Sequence, residues 1–450
     1  MKIPGVNALR LWDNWLPLGT IAVFGVAAVP VATGAFDFGL DQPNADRLQV
    51  IYTDIGIQTT AGIFAIVISL SLVAIQFAAQ EYSHRIMEYY LRSTIFWSTF
   101  AVYIGLIAVA VLLQVSSSEA DSEAVASLVV LGSLLALVLL TPHFLITAAY
   151  LKPDFIITKL MGRLDNAYFD RVARIDGAPG PGNDRLLPVV EIVERAIDRG
   201  DVTTSGRAMD EFLNLYRGIA TPSPAVSSYF VDHLARIGRK AVSQADEGEA
   251  AVRVVSTIGE IGRDTGSGHA LRSLDALVFT ALRHGSEAPI EQGIDALHSM
   301  FDACGPEDRD VVIEVYAALV RRLSISGYEQ LLDRLVERLA DISRVEASSG
   351  DSARAARAAA VMESIAAEAA EARLARVVTK TIVQLTALGR DLAEVSPATA
   401  REIGAGLLRV ERSVPRNDRE TLASLAFGRE EIERAVPLAP NTSAPPTAPS

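Results

Sequence analysis

The sequence has very little cysteine and few patterns that favour strands. Its one cysteine, Cys304, excludes an intramolecular disulfide and a zinc site built from several thiolates. A lone thiol in a helical stretch fits a reducing compartment, and we expect a buried small side chain rather than a nucleophile. Alternation of β-branched residues between turn residues is nearly absent, which argues against a sheet protein.

Catalytic motifs are also missing from the sequence. There is no Gly-Lys-Ser/Thr of a Walker loop and no Gly-x-Ser-x-Gly of a hydrolase elbow. The glycine-rich segment from Gly259 to His269 follows no predicted strand, so we interpret it as a helix end and a turn. The six histidines are scattered, and none has metal-ligand spacing with acidic support. We therefore predict a protein that is not an enzyme and that holds no metal or cofactor.

Long uncharged runs are confined to the first third of the chain. The four runs extend over residues 14–36, 55–80, 93–118 and 124–151. Each exceeds the ~20 residues that a helix needs to cross a bilayer. We therefore predict an all-α transmembrane domain over residues 1–151, with spans at about 14–36, 57–80, 94–115 and 124–151. The first run is longer than the ~7–15 residues of a signal peptide's apolar region, so a retained helix is favoured over a cleaved one.

The distribution of basic residues predicts the orientation of these spans. Lysine and arginine flank the runs at the N-terminus, in the second loop and after the fourth run: Lys2, Arg10, Arg85, Arg92, Lys152, Lys159 and Arg163. The first and third loops are acidic. Because basic residues near membrane helices prefer the cytosolic side, both termini are predicted to be cytosolic in a multi-pass inner-membrane protein. Arg85 and Arg92 are then expected to form cytosolic contacts of the membrane loop.

The part of the chain after residue 151 is acidic. It holds 36 of the 41 Lys and Arg residues and 44 of the 54 Asp and Glu residues. Nucleic-acid binding requires clustered cations on phosphates, so no nucleic-acid partner is expected.

Apolar residues after Pro153 recur at three- and four-residue spacing, which indicates amphipathic helices. Glycines separate the stripes, at Gly200, Gly248, Gly266, Gly285, Gly305 and Gly327. Comparable helices starting at Glu249 and Glu287 suggest a repeat of about 38 residues, as in HEAT or armadillo arrays. An irregular helical bundle is the open alternative.

This pattern predicts three segments beyond the membrane domain. Residues 152–182 form a juxtamembrane helix and linker, and residues 183–435 form the cytosolic helical domain. Residues 436–450 are proline-rich and expected to be disordered. Within the helical domain, the Ala/Glu/Arg-rich segment of residues 351–376 is expected to be one long exposed helix.

The second apolar run carries polar residues at regular intervals. Gly62, Ser69, Gln76 and Ser83 lie seven apart and share one helical face, flanked by Gln58 and Gln80. Two interpretations are open: helix packing through small and hydrogen-bonding side chains, or a hydrated pathway. His143, in the fourth run after Pro142, is a candidate intramembrane ionisable group, and a neutral, hydrogen-bonded histidine beside a proline kink is the open alternative.

The motif Ala74-Ile75-Gln76-Phe77-Ala78, with Tyr82-Ser83-His84-Arg85-Ile86 and Tyr90-Leu91-Arg92, resembles a known pattern. It is similar to the hallmark of a bacterial and archaeal membrane protein family called domain of unknown function 2254. The resemblance covers roughly residues 10–160 and includes Pro142-His143-Phe144. It implies four N-terminal membrane helices, a soluble C-terminal part and no established activity. The family's usual Phe-Ser-Pro-Arg is Tyr82-Ser83-His84-Arg85 here.

These observations lead to two functional expectations. The first is a membrane-anchored interaction or regulatory protein, since stacked helices present extended binding surfaces. The second is an oligomeric ion channel or transporter with the second membrane helix lining the pathway. The expected partners are the lipid bilayer, further copies of the chain and a cytosolic protein.

Overall fold

The computed structural model describes residues 56–81, 94–116, 122–175, 179–180, 182–219, 222–244, 248–416 and 418–436. These residues form helices, turns and loops, with no strand among them. The all-α class predicted from the sequence is confirmed. By the clustering of contacts the chain divides into two compact units.

The first unit comprises the residues up to Arg171 together with Ala178–Leu215. Its helices are α1 (Thr59–Glu81), α2 (Thr94–Ser116), α3 (Ser122–Tyr150), α4 (Pro153–Met161), α5 (Asn166–Arg174), α6 (Leu187–Asp198) and α7 (Val202–Arg217), of which α5 and α7 reach past its boundaries. The first three agree closely with the predicted spans at 57–80, 94–115 and 124–151. The predicted span at 14–36 lies outside the described residues.

The second unit contains ten consecutive helices. They are α8 (Pro224–Val242), α9 (Gly248–Thr265), α10 (Gly268–His284), α11 (Glu287–Phe301), α12 (Pro306–Ser326), α13 (Glu329–Ser348), α14 (Ser352–Glu371), α15 (Ala375–Val395), α16 (Pro397–Ser413) and α17 (Arg419–Ala435).

Helices α1 and α3 run in the same direction. Thr60 near the start of α1 is hydrogen-bonded to Ser133 of α3 (3.1 Å), and Ser71 is hydrogen-bonded to His143 (3.1 Å). The second pair lies about 15 Å beyond the first along both helices, at a rise of 1.5 Å per residue. The intervening chain must therefore return over the same length, and α2 is the described helix that lies between them in sequence.

Local sequence signals explain where the helices of the second unit begin and end. Pro224 opens α8, and the side chain of Ser223 caps it by accepting from the backbone N–H of Val226. Gly285 and Gly327 end α10 and α12 in the left-handed conformation, with φ of 72° and 74°. This conformation strains residues with a Cβ atom, which explains why the chain turns at these glycines.

The ten helices of the second unit form a stack. Each helix packs against the next helix and against the next but one, and every extensive contact among α8–α17 is of this kind. A bundle would bring helices distant in sequence into contact around one core, whereas repeat proteins show this nearest-neighbour pattern. The described residues therefore support the helical-repeat alternative.

The repeat length differs from the sequence estimate. The step of 38 residues from Glu249 to Glu287 holds only for the early repeats. Later pairs are longer: α13 begins at Glu329 and α15 at Ala375, 46 residues on. The lengthening arises because α12–α15 are helices of 20 or 21 residues, against 15 in α11.

The alanine-rich segment is not the long exposed helix that its composition predicts. It is divided into α14 and α15 by a turn in which Arg373 has φ of 61°. One face of α14 is buried in the stack through Ala355, Ala358, Ala359, Ile365, Ala366 and Ala369. Small side chains allow neighbouring helices to approach closely, so alanine here provides packing rather than an exposed surface.

Candidate functional site

Among the described residues of the first unit, two helical stretches have the length and composition to cross a membrane. They are Gly56–Phe77 and Val129–Ala149, and α2 contributes a shorter apolar stretch, Thr99–Leu112. Only 28% and 31% of the two longer stretches are buried within the chain. A core helix of a soluble protein would be mostly buried, and these two stretches differ from it in their low burial.

The face of α1 that packs inside the first unit contains both apolar and hydroxyl residues. Ile63 and Val67 are buried against Tyr103 of α2 and Ala136 of α3. The Tyr103 hydroxyl donates to the carbonyl oxygen of Ala136 (2.7 Å), so its polar end is satisfied within the apolar cluster. Thr60, Ser71 and Ala74 continue this buried face.

The polar residues predicted to share a face of α1 lie on its opposite side. Gln58, Gly62, Ser69 and Gln76 are all exposed. At about 100° per residue they cluster within a sector of about 40°, whose centre is about 160° from Val67. The hydroxyl that packs against α3 is therefore Ser71 and not Ser69. We call Gln58, Gly62, Ser69 and Gln76 the polar face.

Most of the other described exposed side chains of this helix group are apolar. On α2 they include Trp97, Ile104, Val109, Val111 and Leu112, and on α3 they include Leu134, Leu137, Val138 and Leu145. Large aliphatic side chains of this kind suit contact with lipid. The polar face thus differs in chemistry from the exposed surfaces of the two neighbouring helices.

His143 is buried between α1 and α3 and does not lie on the polar face. Ser71 donates its one proton to the carbonyl oxygen of Val67 at 2.7 Å. Its oxygen then serves as acceptor for Nε2 of His143 at 3.1 Å. In the neutral imidazole this assigns the proton to Nε2 and leaves Nδ1 as acceptor. The predicted intramembrane candidate is thereby placed in a helix contact.

In the second unit, acidic residues of one helix pair with basic residues of the helix two positions later. Asp295 of α11 accepts from Arg334 Nε (3.0 Å) and Arg338 Nη2 (2.9 Å) of α13. Glu337 of α13 in turn lies 2.8 Å from Lys380 Nζ of α15. Burial raises the pKa of Asp295, but the hydrogen bonds from the two arginines outweigh it and hold the pKa below its ordinary value.

A fully buried carboxylate joins three successive helices of the stack. Glu346 of α13 accepts from Arg309 Nη1 of α12 (2.8 Å) and from Arg354 Nη1 of α14 (2.6 Å). Arg354 also donates to Asp310 of α12 (2.8 Å). Because a buried charge is costly unless it is paired, these bonds fix the register between the helices.

The position of the Glu363 carboxylate in α14 requires a glycine in the helix two positions later. The carboxylate lies against Gly406 of α16, where a Cβ atom would overlap it, and accepts from Arg409 Nη2 at 2.7 Å. Burial raises the pKa of Glu363 above its ordinary value, and the hydrogen bond from Arg409 lowers it only in part. Sequence reasoning missed this pair, since its members are 43 residues apart.

The glycine-rich segment near residue 260 is structural. Gly259 and Gly262 lie within α9, where a Cβ atom would meet Ala296 and Met300 of α11, and Gly266 has φ of 59° in the turn that follows. This confirms the interpretation as a helix end and a turn. Cys304 is buried, as expected, and burial raises the pKa of its thiol. Among the described residues, no three His, Cys, Asp or Glu side chains are placed to hold a metal ion.

Several predicted site residues cannot be placed. Ser83, Arg85 and Arg92 lie outside the described residues, and so does the side chain of Gln80. The tail from residue 437 onward also lies outside them. The domain boundaries at 151, 182 and 435 remain predictions.

No family model and no curated relative matches the chain, so the resemblance to domain of unknown function 2254 remains a prediction. Solved structures that are similar to the chain include the following two. A circular tandem repeat protein with novel repeat topology and enhanced subunit contact surfaces is 15% identical, with 84% of this chain and 97% of that chain covered and a TM-score of 0.34. A second match, described as computational design of self-assembling cyclic protein homooligomers, is 12% identical, covering 63% and 96%, with a TM-score of 0.19. At these scores neither likeness carries an argument about function.

Proposed function

We propose that the chain is a membrane-anchored interaction protein. In this proposal α1–α3 and the run at residues 14–36 cross the inner membrane, and the helical stack presents a binding surface to a cytosolic protein. The observation that carries the proposal is the stacking of α8–α17, because a stack of neighbour-to-neighbour contacts leaves long continuous faces available to a partner. The low burial of the two apolar stretches supports the membrane anchor.

Membrane topology is tested with single cysteines in a Cys304→Ala background. We expect labels at Ala45 and Ser122 to react from outside the cell. Labels at Ser93 and Gly177 should react only after permeabilisation, because the basic segments are predicted to be cytosolic. External reaction at Gly177 would contradict the anchor as proposed.

The binding surface is tested with photo-reactive residues placed on the full-length protein in cells. One set occupies exposed positions on α11, α13 and α15: Ser299, Gln330 and Thr379. The matched set occupies exposed positions on the intervening helices α12, α14 and α16: Ala317, Ser364 and Ala405. A partner that uses one face of the stack gives an adduct of one mass from one set only. Equal adducts from both sets, or none from either, would refute a defined binding face.

An oligomeric channel is the second candidate, and the polar face favours it. Amides and hydroxyls exposed on a membrane helix suit a hydrated path formed by several subunits. The test compares ion flux into liposomes for the wild type and Gln76→Leu, with Val138→Ala on the apolar surface of α3 as control. Flux that changes only in Gln76→Leu would support the channel, and absence of flux from both wild type and variants would exclude it.

A further inference from the structure

We infer that the polar face of α1 contacts the same face of a second copy of this chain within the bilayer. The inference rests on the membrane location proposed above, and it is independent of any cytosolic partner. It assigns a second copy of the chain to the polar face, which the described helices leave exposed.

The chemistry of the polar face is unfavourable in contact with lipid. Gln58 and Gln76 each carry an amide with two donors and an acceptor, and both are exposed. Gln76 lies inside the end of the apolar stretch, where little water is available and an unsatisfied polar group is costly, whereas Gln58 lies at the start of the stretch, close to headgroups and water. A protein surface that supplies hydrogen bonds is the environment in which such side chains are stable.

The spacing of the face fits a helix that crosses α1 at a small angle. Gly62, Ser69 and Gln76 lie seven residues apart, and a seven-residue stripe stays in contact with a parallel helix along a left-handed crossing. A Cβ atom added at Gly62 would have no atom within 4 Å, so there is open space for another backbone. Small residues at such positions allow close approach of membrane helices.

A second copy is the occupant whose chemistry complements the face. Most of the described exposed side chains of α2 and α3 are large and apolar, and the exposed hydroxyl of Thr141 is the exception among them. All copies insert in the same direction, so two α1 helices meet in parallel and present Gln76 to Gln76 at one depth. Because an amide both donates and accepts, the face is complementary to itself in a symmetric contact.

The test is disulfide formation in membranes by the full-length protein with Cys304 replaced by alanine. Ser69→Cys places a thiol on the polar face. Val138→Cys is the matched control, since Val138 is 65% exposed on the apolar surface of α3. We expect a covalent dimer from Ser69→Cys and none from Val138→Cys, because the bond requires Cβ atoms about 4 Å apart. The membrane fraction is assayed separately, so failure of the anchor itself is distinguishable from failure of the contact.

Gln76→Leu and Gln76→Asn supply the second measurement. Added to Ser69→Cys, Gln76→Leu should lower the fraction of dimer about three- to thirty-fold, the range expected for one interhelical hydrogen bond, and Gln76→Asn should retain most of it. Three results would overturn the inference. They are absence of a dimer, a dimer unaffected by Gln76→Leu, and a disulfide that forms only within one chain to a cysteine introduced at Ala27. Ready reaction of Ser69→Cys with a water-soluble thiol reagent in the assembled protein would also overturn it, because a hydrated pathway would then occupy the face.

Discussion

The imidazole of His143 and the hydroxyl of Ser71 join two helices that run in the same direction, with Nε2 and Oγ 3.1 Å apart. Ser71 also donates to the Val67 carbonyl oxygen, so it acts as the acceptor for His143. Ser69, two residues earlier, is on the opposite side of α1 and is exposed. The two serines therefore form a natural comparison between an internal contact and an external surface.

We expect Ser71→Ala to destabilise the helix group by about 0.6–2 kcal/mol, the range for a hydrogen bond between membrane helices. The loss follows because the buried N–H of His143 loses its acceptor. The free energy of unfolding is measured on the full-length protein in detergent at a concentration where it is monomeric. Ser69→Ala is the control and should leave this quantity unchanged. Equal losses in both variants would contradict the assigned contact.

Gly406 and Gly404 give a second matched pair in the stack. Gly406→Ala would place a methyl group against the carboxylate of Glu363, and we expect it to lower the free energy of unfolding by about 1–3 kcal/mol. At Gly404 a Cβ atom would make only an ordinary contact, 3.8 Å from Ile432. Gly404→Ala should therefore raise stability by about 0.5–1 kcal/mol, since alanine favours a helix.

The double variant Glu363→Ala with Gly406→Ala tests the cause of this effect. Because the clashing carboxylate is removed, the two changes should be less than additive in chemical denaturation. Strict additivity would show that the contact between Glu363 and Gly406 is not the source of the loss.

We expect Asp295 to make a contribution to the free energy of unfolding that depends on pH. Its pKa is held below the ordinary value in the folded protein, so its contribution is present above the unfolded pKa and is lost as pH falls through the folded pKa. We expect Asp295→Asn to be less stable than the wild type at neutral pH, and the difference to shrink on acidification below about pH 4. Denaturation curves across this range measure it. A difference that stays constant with pH would contradict the assignment to the two arginines.

Glu363 should show the opposite dependence. Because its pKa is raised in the folded protein, its contribution is fully present below the unfolded pKa and is lost as pH rises through the folded pKa. Relative to the wild type, Glu363→Gln is therefore expected to gain stability as pH rises from about 4 toward neutrality. A parallel pH profile for the two proteins would refute the raised pKa.

The stack should fold without α1–α6. Because the apolar faces of α8–α17 are covered by their neighbours, we expect a fragment of residues 202–436 to be soluble, monomeric and mainly helical. Circular dichroism and sedimentation provide the measurement. An aggregated fragment, or one with a strand-dominated spectrum, would contradict the description of the stack.

Periodicity in the sequence predicts most of the helices because burial of one helical face leaves a local signature. Val190, Val193 and Ile197 follow the three- and four-residue spacing of an amphipathic helix, and all three are fully buried in α6. The sequence also predicts the turns at Gly285 and Gly327, because the left-handed conformation favours glycine. These features depend on residues close together in sequence.

Contacts between residues that are far apart in sequence could not be predicted from local patterns. The heptad spacing identified the polar face of α1 but not which side of the helix packs internally, because Ser69 and Ser71 are chemically alike. The burial of the alanines in α14 was missed for the same kind of reason: alanine is compatible with either a surface or a close contact. The bond between Glu346 and Arg309 depends on how successive helices stack, which no local pattern records.

The nearest-neighbour stacking of α8–α17 bears on how this protein can change over evolutionary time. A helix that contacts only its next two neighbours on each side does not constrain the packing of the other helices. Duplication or loss of one helical pair therefore creates a single new junction, at which the ion pairs and glycine contacts of adjacent repeats must match. The number of stacked helices can thus be altered in whole steps while α1–α3 stay unchanged.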